Sequence, residues 1–580
     1  MAKPIIKQIK DSRDALDFFE TVSLPKEDEK TQEIIMNFPT VYIHNWQASG
    51  KFEVYVGESN DIFKRTRQHY DAAMDKSKWQ SNLVGKDAQL FIIGHEHFNK
   101  SLTLDIENRL MHYMMSVERV KHVHNLRDNP QTSYYPMEEL DEIFSKIWRE
   151  LRKENKELFP TESSIKDSAI YKASPLHKLT REQEKARELI IQKVSKALEN
   201  GETKQLIFID GEAGTGKTVL NSSTFYELYC QAEENSKELK CYLLVNHDEQ
   251  ITVYEQIAEK LGLKRKYGKV VSKPTTFINN HSEHDPVDVV FIDEAHLLLT
   301  QGKQSYRGEN QLKDIIDRSL VTVVMFDENQ ILTTEQFWES QILDQYRNQA
   351  KEKDNHIVLD KQLRMQVNPE TMDWIDSFTK KGQLKKIPDT LGGYSIKVFD
   401  NPEFLDIEIQ RKAKERNSAL SRIIATYDWE YSSNRKPEDR WMKYWEVLIG
   451  NWHKPWNREL EAELSRTEKR KISGLAWAEQ PQTIREVGST FTIQGFDLNY
   501  AGVILGPSVK YRDGKIIFDP SASHNNKAVR NRTLSDGSKQ KFGEMLIQHE
   551  VRVLMTRGVN GMYIYACDPE LQAALLEAAR

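Results

Sequence analysis

The sequence reads as an α/β protein: a small N-terminal α/β domain with three strands, followed by a longer region whose strands suit parallel sheets. Three observations carry this reading. Short apolar runs recur along the chain and are separated by amphipathic stretches. Near the N-terminus Thr40-Val-Tyr-Ile43 and Glu53-Val-Tyr-Val56 have the β-branched and aromatic character of strands and are joined by a turn at Ala48-Ser-Gly50. From Leu179 onward the runs Leu206-Ile-Phe-Ile209, Tyr242-Leu-Leu-Val245, Val289-Val-Phe-Ile292, Val321-Thr-Val-Val-Met-Phe326 and Gly502-Val-Ile-Leu505 are unbroken, as strands covered on both faces require.

Each segment follows in order. Residues 1–38 form a polar lead-in with helical character. In residues 39–129 the two strands precede a helix over Asp61–His69, a third strand at Ala88–Ile93, and apolar residues at helical spacing from Leu104 to Val117. Residues 130–178 read as a charged helical connector broken by Pro130, Pro136, Pro160 and Pro175, suited to orienting the N-terminal domain or to self-association. Residues 179–370 and 371–580 form two lobes. The second carries an insertion rich in tryptophan: Trp429, Trp441, Trp445, Trp452, Trp456 and Trp477. Roughly four of these six are expected in a core, because large aromatics bury well, and the remainder suit base stacking.

Bulk properties bound the function. The chain has 580 residues, enough for about four domains at ~150 residues each. Met1 to Asp14 is polar and lacks the apolar run of a secretory signal. No stretch of about 18 apolar residues occurs, so no membrane span is expected. Cys230, Cys241 and Cys567 are scattered and form no metal-ligand pairs. That suits a reducing cytoplasm. The net charge of −6 neither requires nor excludes a nucleic-acid partner, because the positive potential that phosphates need is local.

Gly211-Glu-Ala-Gly214-Thr-Gly216-Lys217-Thr218 matches G-x-x-x-x-G-K-T between an apolar strand and a helical run. Glycines let backbone N–H groups curl around phosphates, and the helix N-terminus adds its dipole. Lys217 places a cation on the β and γ phosphates, and the Thr218 hydroxyl holds Mg2+. Val289-Val-Phe-Ile-Asp293-Glu294 ends a strand in two acids. Asp293 completes the Mg2+ shell through water and Glu294 polarises the attacking water.

From about Leu179 to Arg580 these motifs, with others in order, resemble a superfamily 1 helicase motor of the Schlafen-like group of P-loop proteins, built of two RecA-like lobes. The resemblance implies that Gln183, in Leu179-Thr-Arg-Glu-Gln183, reads adenine. It places early nucleic-acid contacts at Val245-Asn-His-Asp248 and Lys273-Pro-Thr-Thr-Phe277. It makes Gln330, in Phe326-Asp-Glu-Asn-Gln330, the γ-phosphate sensor. Arg364 and Arg557 become arginine fingers, and Gln494 lies in a further nucleotide-contact motif, Val487 to Asp497. Lys454-Pro-Trp456-Asn457 and Gly506 to Gly514 are similar to elements of the same group. The implied partners are ATP with Mg2+ or Mn2+, and a single strand of nucleic acid, DNA before RNA.

In the N-terminal domain Tyr42 and Tyr55 sit on adjacent expected strands, Arg65 and His69 lie four apart on one helix face, and Glu107 and Asn125 follow. Residues 39–128 resemble the GIY-YIG nuclease domain, with Thr40 in place of the first motif glycine and Val56 in place of isoleucine. By resemblance Glu107 is the one protein carboxylate on a divalent metal. Tyr42 is the general base on water, Tyr55 and His69 position or relay a proton, and Arg65 holds the scissile phosphate. Tyrosine is a weak base at its ordinary pKa of ~10, so such a site must either depress it or relay its proton. Residues 40–128 carry 12 Lys/Arg against 11 Asp/Glu, so grip on the substrate is expected from the motor. The whole is expected to be an ATP-dependent nuclease–helicase in antiviral defence. The alternatives are a translocase or sensor whose N-terminal domain binds without cutting constitutively, and a nuclease switched by ATP occupancy.

Overall fold

The computed structural model describes residues 3–75, 79–83, 87–125, 134–135, 137–302, 306–360, 369–388, 393–415, 418–439 and 442–580. By its internal contacts the chain forms two units, Met1–Lys178 with Val253–Val270, and Leu179–Thr252 with Val271–Arg580. Among the described residues no helix is long and apolar enough to cross a membrane.

The first unit is built on strands β1 (Ile5–Lys10), β2 (Thr40–Ala48), β3 (Lys51–Ser59), β4 (Gln89–Gly94) and β5 (Val120–Val123), in the order β1-β4-β2-β3-β5. All pairs are antiparallel except β3 with β5. The expected three-stranded sheet is thus five-stranded. The lead-in is not only helical: it supplies an edge strand. β1 escapes a reading by apolar pattern because its side chains are half-exposed or exposed throughout, and β5 has only four residues.

Helices Arg13–Phe18 and Glu29–Asn37 follow β1, with Ser12 and Asp28 accepting the free N–H groups of their first turns. Leu16, Phe19, Leu24 and Ile35 from this lead-in share one cluster with Tyr42, Tyr55, Ile62, Phe63, Leu90 and Ile92. Ser49 and Gly50, at φ of 55° and 78°, close β2 onto β3. Two positive φ values give the turn a twist that matches the strands, and Gly50 adopts it without a Cβ penalty. In the connector, helix Leu140–Glu154 buries Ile143, Phe144, Ile147, Trp148 and Leu151. The stretch Val253–Val270 is anchored in this unit. Lys260 Nζ donates to the Val117 carbonyl at 2.7 Å, and the Lys260 carbonyl accepts from His122 Nδ1 at 2.7 Å.

The second unit holds two parallel sheets. β6 (Gln205–Gly211), β7 (Cys241–Leu244), β8 (Val271–Ser272), β9 (Val287–Ile292), β10 (Ser319–Phe326) and β11 (His356–Leu359) run in the order β11-β6-β10-β9-β7-β8. β12 (Ser395–Val398), β13 (Arg422–Ala425), the hairpin β14 (Glu446–Ile449) and β15 (Trp452–Pro455), β16 (Val487–Gly488), β17 (Leu498–Leu505), the hairpins β18 (Val509–Arg512) with β19 (Lys515–Phe518) and β20 (Asn531–Thr533) with β21 (Lys539–Lys541), and β22 (Gly558–Ala566) follow. The second parallel sheet has the order β12-β22-β17-β13-β16. Trp445, Trp456 and Trp477 are buried, while Trp429 and Trp452 are half-buried and pack against the same core. Trp441 lies outside the described residues.

Candidate active sites

In the first parallel sheet β6, β10 and β9 are neighbours, so the segments after their C-terminal ends converge on one edge. β6 ends in the glycine-rich loop, and helix Lys217–Glu234 begins directly after it. Gly214 and Gly216 take φ of 86° and 79°, which a side chain would strain, so the loop can curl only with glycine there. Lys217 is buried and donates to the Gly211 and Glu212 carbonyls at 2.6 and 2.9 Å, with Asp327 Oδ2 at 3.6 Å. Thr218 occupies the second position of the helix. A cleft of about 340 Å3 beside the loop is lined by Gly211, Glu212, Thr215, Asp327, Arg347 and Leu359 among others.

Asp293 and Glu294 follow β9 and are both buried. Glu294 has φ of 48°, a left-handed conformation that costs a non-glycine residue energy and is retained where surroundings enforce it. Burial opposes its ionisation, yet His296, Lys217 and Arg557 together hold its carboxyl below the usual range. Gln330 donates to Asp327 Oδ2 at 2.7 Å and accepts from Arg557 Nη2 at 2.8 Å. Gln494 donates to the Gln330 carbonyl at 3.2 Å. Lys217, Asp327, Gln330 and Arg557 thus form one polar chain from the phosphate loop to the second lobe. Gln183 closes the cap of helix Arg181–Glu199 and donates to the Thr215 and Gly216 carbonyls at 3.3 and 3.4 Å. Its buried amide braces the loop. Arg364 lies outside the described residues.

Sequence reading passed over Asp327 and Arg552. Asp327 stands inside a segment read only for its glutamine. Arg552 reaches Glu212 of the loop at 2.6 Å and also pairs with Asp376. It lies five residues before the arginine singled out, and no local signal marks it. The same unit carries a groove of about 760 Å3 lined by Asn246, His247, Tyr427, Phe491, His524 and Lys527, among others. Its aromatic lining is tyrosine, phenylalanine and histidine rather than the tryptophans.

In the N-terminal unit Tyr42, Tyr55, Gly57, Glu58, Arg65, Glu107, Asn108 and Asn125 share the wall of a cavity of about 190 Å3. His69 stands behind Tyr42, its Nε2 3.0 Å from the Tyr42 hydroxyl. The register explains how β2 and β3 contribute. Tyr42 pairs with Gly57, so the phenol lies over a residue without a side chain. Arg65 and His69, one helical turn apart, both reach Tyr42, and the Arg65 guanidinium also donates to Tyr55. Asn125, just beyond β5, donates to Glu107 Oε1 at 3.0 Å and to the Val56 carbonyl at 2.8 Å. Thr40 is buried with its hydroxyl turned to the Ser59 carbonyl, so the position that departs from glycine supplies nothing to the cavity.

The electrostatics choose between the two ways of using a tyrosine as base. Burial pushes the Tyr42 phenol above its ordinary value, with Tyr55 adding in the same direction, and Arg65 only partly offsets this. Tyr42 is therefore a neutral phenol rather than a resident phenolate. Burial, followed by the neighbouring His44, pushes His69 down to about 3, which leaves a neutral imidazole whose Nε2 accepts the Tyr42 proton. The arrangement is a relay.

Among the described residues no three His, Cys, Asp or Glu side chains converge to hold a metal. The residues fit Mg2+ in another way. Mg2+ keeps several waters and takes one or two carboxylates plus phosphate oxygens. Glu107 offers such an oxygen at a cavity with room for water, and Thr218 with Asp293 offers a hydroxyl and a carboxylate near the phosphate loop.

Comparison with known proteins places the motor unit. Residues 204–568 match the family described as Schlafen group 3, DNA/RNA helicase domain. An uncharacterised protein of Saccharomyces cerevisiae is 31% identical over 441 residues, covering 69% of this chain and 91% of the relative. Among solved structures, the PRRSV helicase superposes with a TM-score of 0.27 at 11% identity, over 65% of this chain and 56% of its own. A structure of two coordinating Pif1 helicases on forked double-stranded DNA gives 0.26 at 12%, over 69% and 96%. Scores this low carry no argument about site or register. The sequence family does: the chain belongs to the Schlafen group 3 helicases.

Proposed function

We propose that the chain is an ATP-dependent nuclease–helicase: a nucleic-acid motor whose N-terminal domain hydrolyses phosphodiesters at the Tyr42–Glu107 cavity. The observation that carries this reading is the convergence of Tyr42, Tyr55, Arg65, Glu107 and Asn125 on one cavity from β2, β3, two helices and the segment after β5. These residues are far apart in sequence, and a fold that needed them only for packing would not face five polar side chains into one space.

Glu107, held by Asn125, is the residue that would hold Mg2+ or Mn2+, which when bound stabilises charge on the leaving oxygen. The chain's own groups do the rest. Arg65 faces the phosphate and offsets the charge that builds in the transition state. One proton of the attacking water passes to the Tyr42 oxygen as the Tyr42 proton passes to His69 Nε2. The water oxygen bonds to phosphorus while the bond to the leaving nucleotide breaks, and that oxygen is protonated from solvent. In the motor, ATP at Gly211–Thr218 closes the Gln330–Arg557 chain onto the γ-phosphate, and hydrolysis releases it. The aromatic groove suits a single strand stacked on Tyr427 and Phe491, with Lys527 near a phosphate. DNA is the first substrate to try, and defence against invading nucleic acid is the role such a coupled cutter fits.

The test incubates plasmid and single-stranded DNA with Mg2+, with and without ATP, using the wild type, Glu107→Ala and Lys217→Ala. Cleavage lost in Glu107→Ala and ATP hydrolysis lost in Lys217→Ala are expected. Cleavage undiminished in Glu107→Ala sinks the nuclease, and ATP hydrolysis undiminished in Lys217→Ala sinks the motor.

A further inference from the structure

Behind the cavity lies a second buried constellation that no motif marks. Asp11 immediately follows β1, and His44 lies on β2 two residues beyond Tyr42. Both side chains are fully buried, with His44 Nδ1 2.6 Å from Asp11 Oδ2. The other oxygen of Asp11 accepts the Tyr70 hydroxyl at 2.7 Å. A buried carboxylate is costly unless its acceptor sites are filled, and here both oxygens have donors. Because the carboxylate accepts, the proton shared with it sits on His44 Nδ1. His44 Nε2 has no hydrogen-bond partner among the described residues.

A latch between β1 and β2 would need no more than the Asp11–His44 bond. The rings around it say more. The His44 ring meets both His69 and Tyr42 edge to face, at centroid separations of 5.3 and 5.4 Å and interplanar angles of 81° and 82°. Trp79 closes the same nest, 5.5 Å from His44 and 5.1 Å from His69. A ring fixed at both edges has one orientation, and the ring it abuts is then fixed too. Gln80 presents its carboxamide to His69 Nδ1 at 3.4 Å, on the side where the proton must sit if Nε2 accepts from Tyr42. Asp11 acts on His69 in the direction that favours its protonation, whereas His44 and Arg65 act against it.

We propose that Asp11 and His44 are a positioning pair that holds the His69 ring in the orientation and tautomer in which Nε2 takes the proton of Tyr42. The proposal rests on the nuclease reading for its purpose, but it concerns His69 itself and has a readout that does not need cleavage. Neither residue touches the cavity. Their action runs through one aromatic contact to His69 and from there through one hydrogen bond to Tyr42.

The experiment uses the full chain labelled with 15N-histidine, the His69 signals being identified by their loss in His69→Gln. In the wild type near neutral pH, His69 should carry its proton on Nδ1. In Asp11→Asn, which keeps the size of the side chain but not its charge, that single tautomer should give way to a mixture. Turnover on single-stranded DNA with Mg2+ should fall at least tenfold with KM within twofold, and Asp11→Glu should recover part of it. Unchanged His69 signals and turnover in Asp11→Asn overturn the pair. If Asp11→Asn does not fold, the wild-type spectrum still decides, because a proton on Nε2 of His69 overturns the proposal and one on Nδ1 upholds it. If the wild type cuts nothing while Asp11→Asn redistributes the His69 tautomers, the nuclease reading falls and the positioning stands.

Discussion

Gly57→Ala tests the cavity through its backbone rather than through a chemical group. A Cβ added at Gly57 would stand 2.5 Å from both Cζ and the hydroxyl of Tyr42, whereas ordinary van der Waals contact begins near 3.4 Å, so something must retreat by about 0.9 Å. The strand cannot yield readily, because β2 is paired on both sides. The ring must therefore move, and it is buried among His44, Tyr55 and His69. Overpacking of this kind costs about 1–3 kcal/mol. More to the point, a retreat of that size from a 3.0 Å hydrogen bond to His69 takes the pair beyond bonding range. Misplacing a reacting group by ~1 Å costs about a hundredfold in rate. The assay is Mg2+-dependent cleavage of single-stranded DNA at saturating substrate, with ATP hydrolysis as the internal control and a melting curve to check folding. Cleavage should fall by about two orders of magnitude while ATP hydrolysis stays within twofold of the wild type. A folded Gly57→Ala protein that cuts at the wild-type rate would refute the claim that Tyr42 must sit against His69.

Three further outcomes are expected. Arg557→Ala should cut ATP hydrolysis by at least a hundredfold, because it removes a transition-state cation and also orphans Gln330 Oε1; loss confined to ATP affinity would instead make Arg557 a binding residue. Glu550 is a buried carboxyl pushed up to about 8, chiefly by burial and then by Asp428. In the folded state it keeps its proton between its ordinary 4.5 and about 8, where the unfolded chain has released it, so stability falls as pH rises through that window. Glu550→Gln should flatten the fall in melting temperature between pH 5 and 8, and an unaltered slope would show that Glu550 is not its source. Trp456→Ala should destabilise the second unit by ~3–5 kcal/mol, as truncating a fully buried aromatic does. Its single-strand affinity at a temperature where it remains folded should match the wild type; a selective loss of affinity would put Trp456 in the groove instead.

The sequence by itself determined the strands that lie deep in each sheet and the chemistry written into contiguous motifs. Val289–Ile292 and Val321–Phe326 are legible because strands covered on both faces must be apolar throughout. Gly211–Thr218 is legible because curling a backbone around phosphates demands glycines at fixed spacing. Gly57, Arg65 and His69 were marked by spacing, but the reason for that spacing came with the register: Gly57 faces Tyr42, and one helical turn carries two side chains to the same phenol. What only the tertiary structure decided are contacts between residues remote in sequence. β1 became part of the sheet because an edge strand needs few apolar residues, so its polar pattern hid it. Arg552 met Glu212, and Asp11 met His44, across 340 and 33 residues of chain. The choice of a relay over a phenolate at Tyr42 was likewise not in the sequence, because a phenol's proton affinity depends on how much water the fold removes from it and on which neutral ring the fold sets beside it.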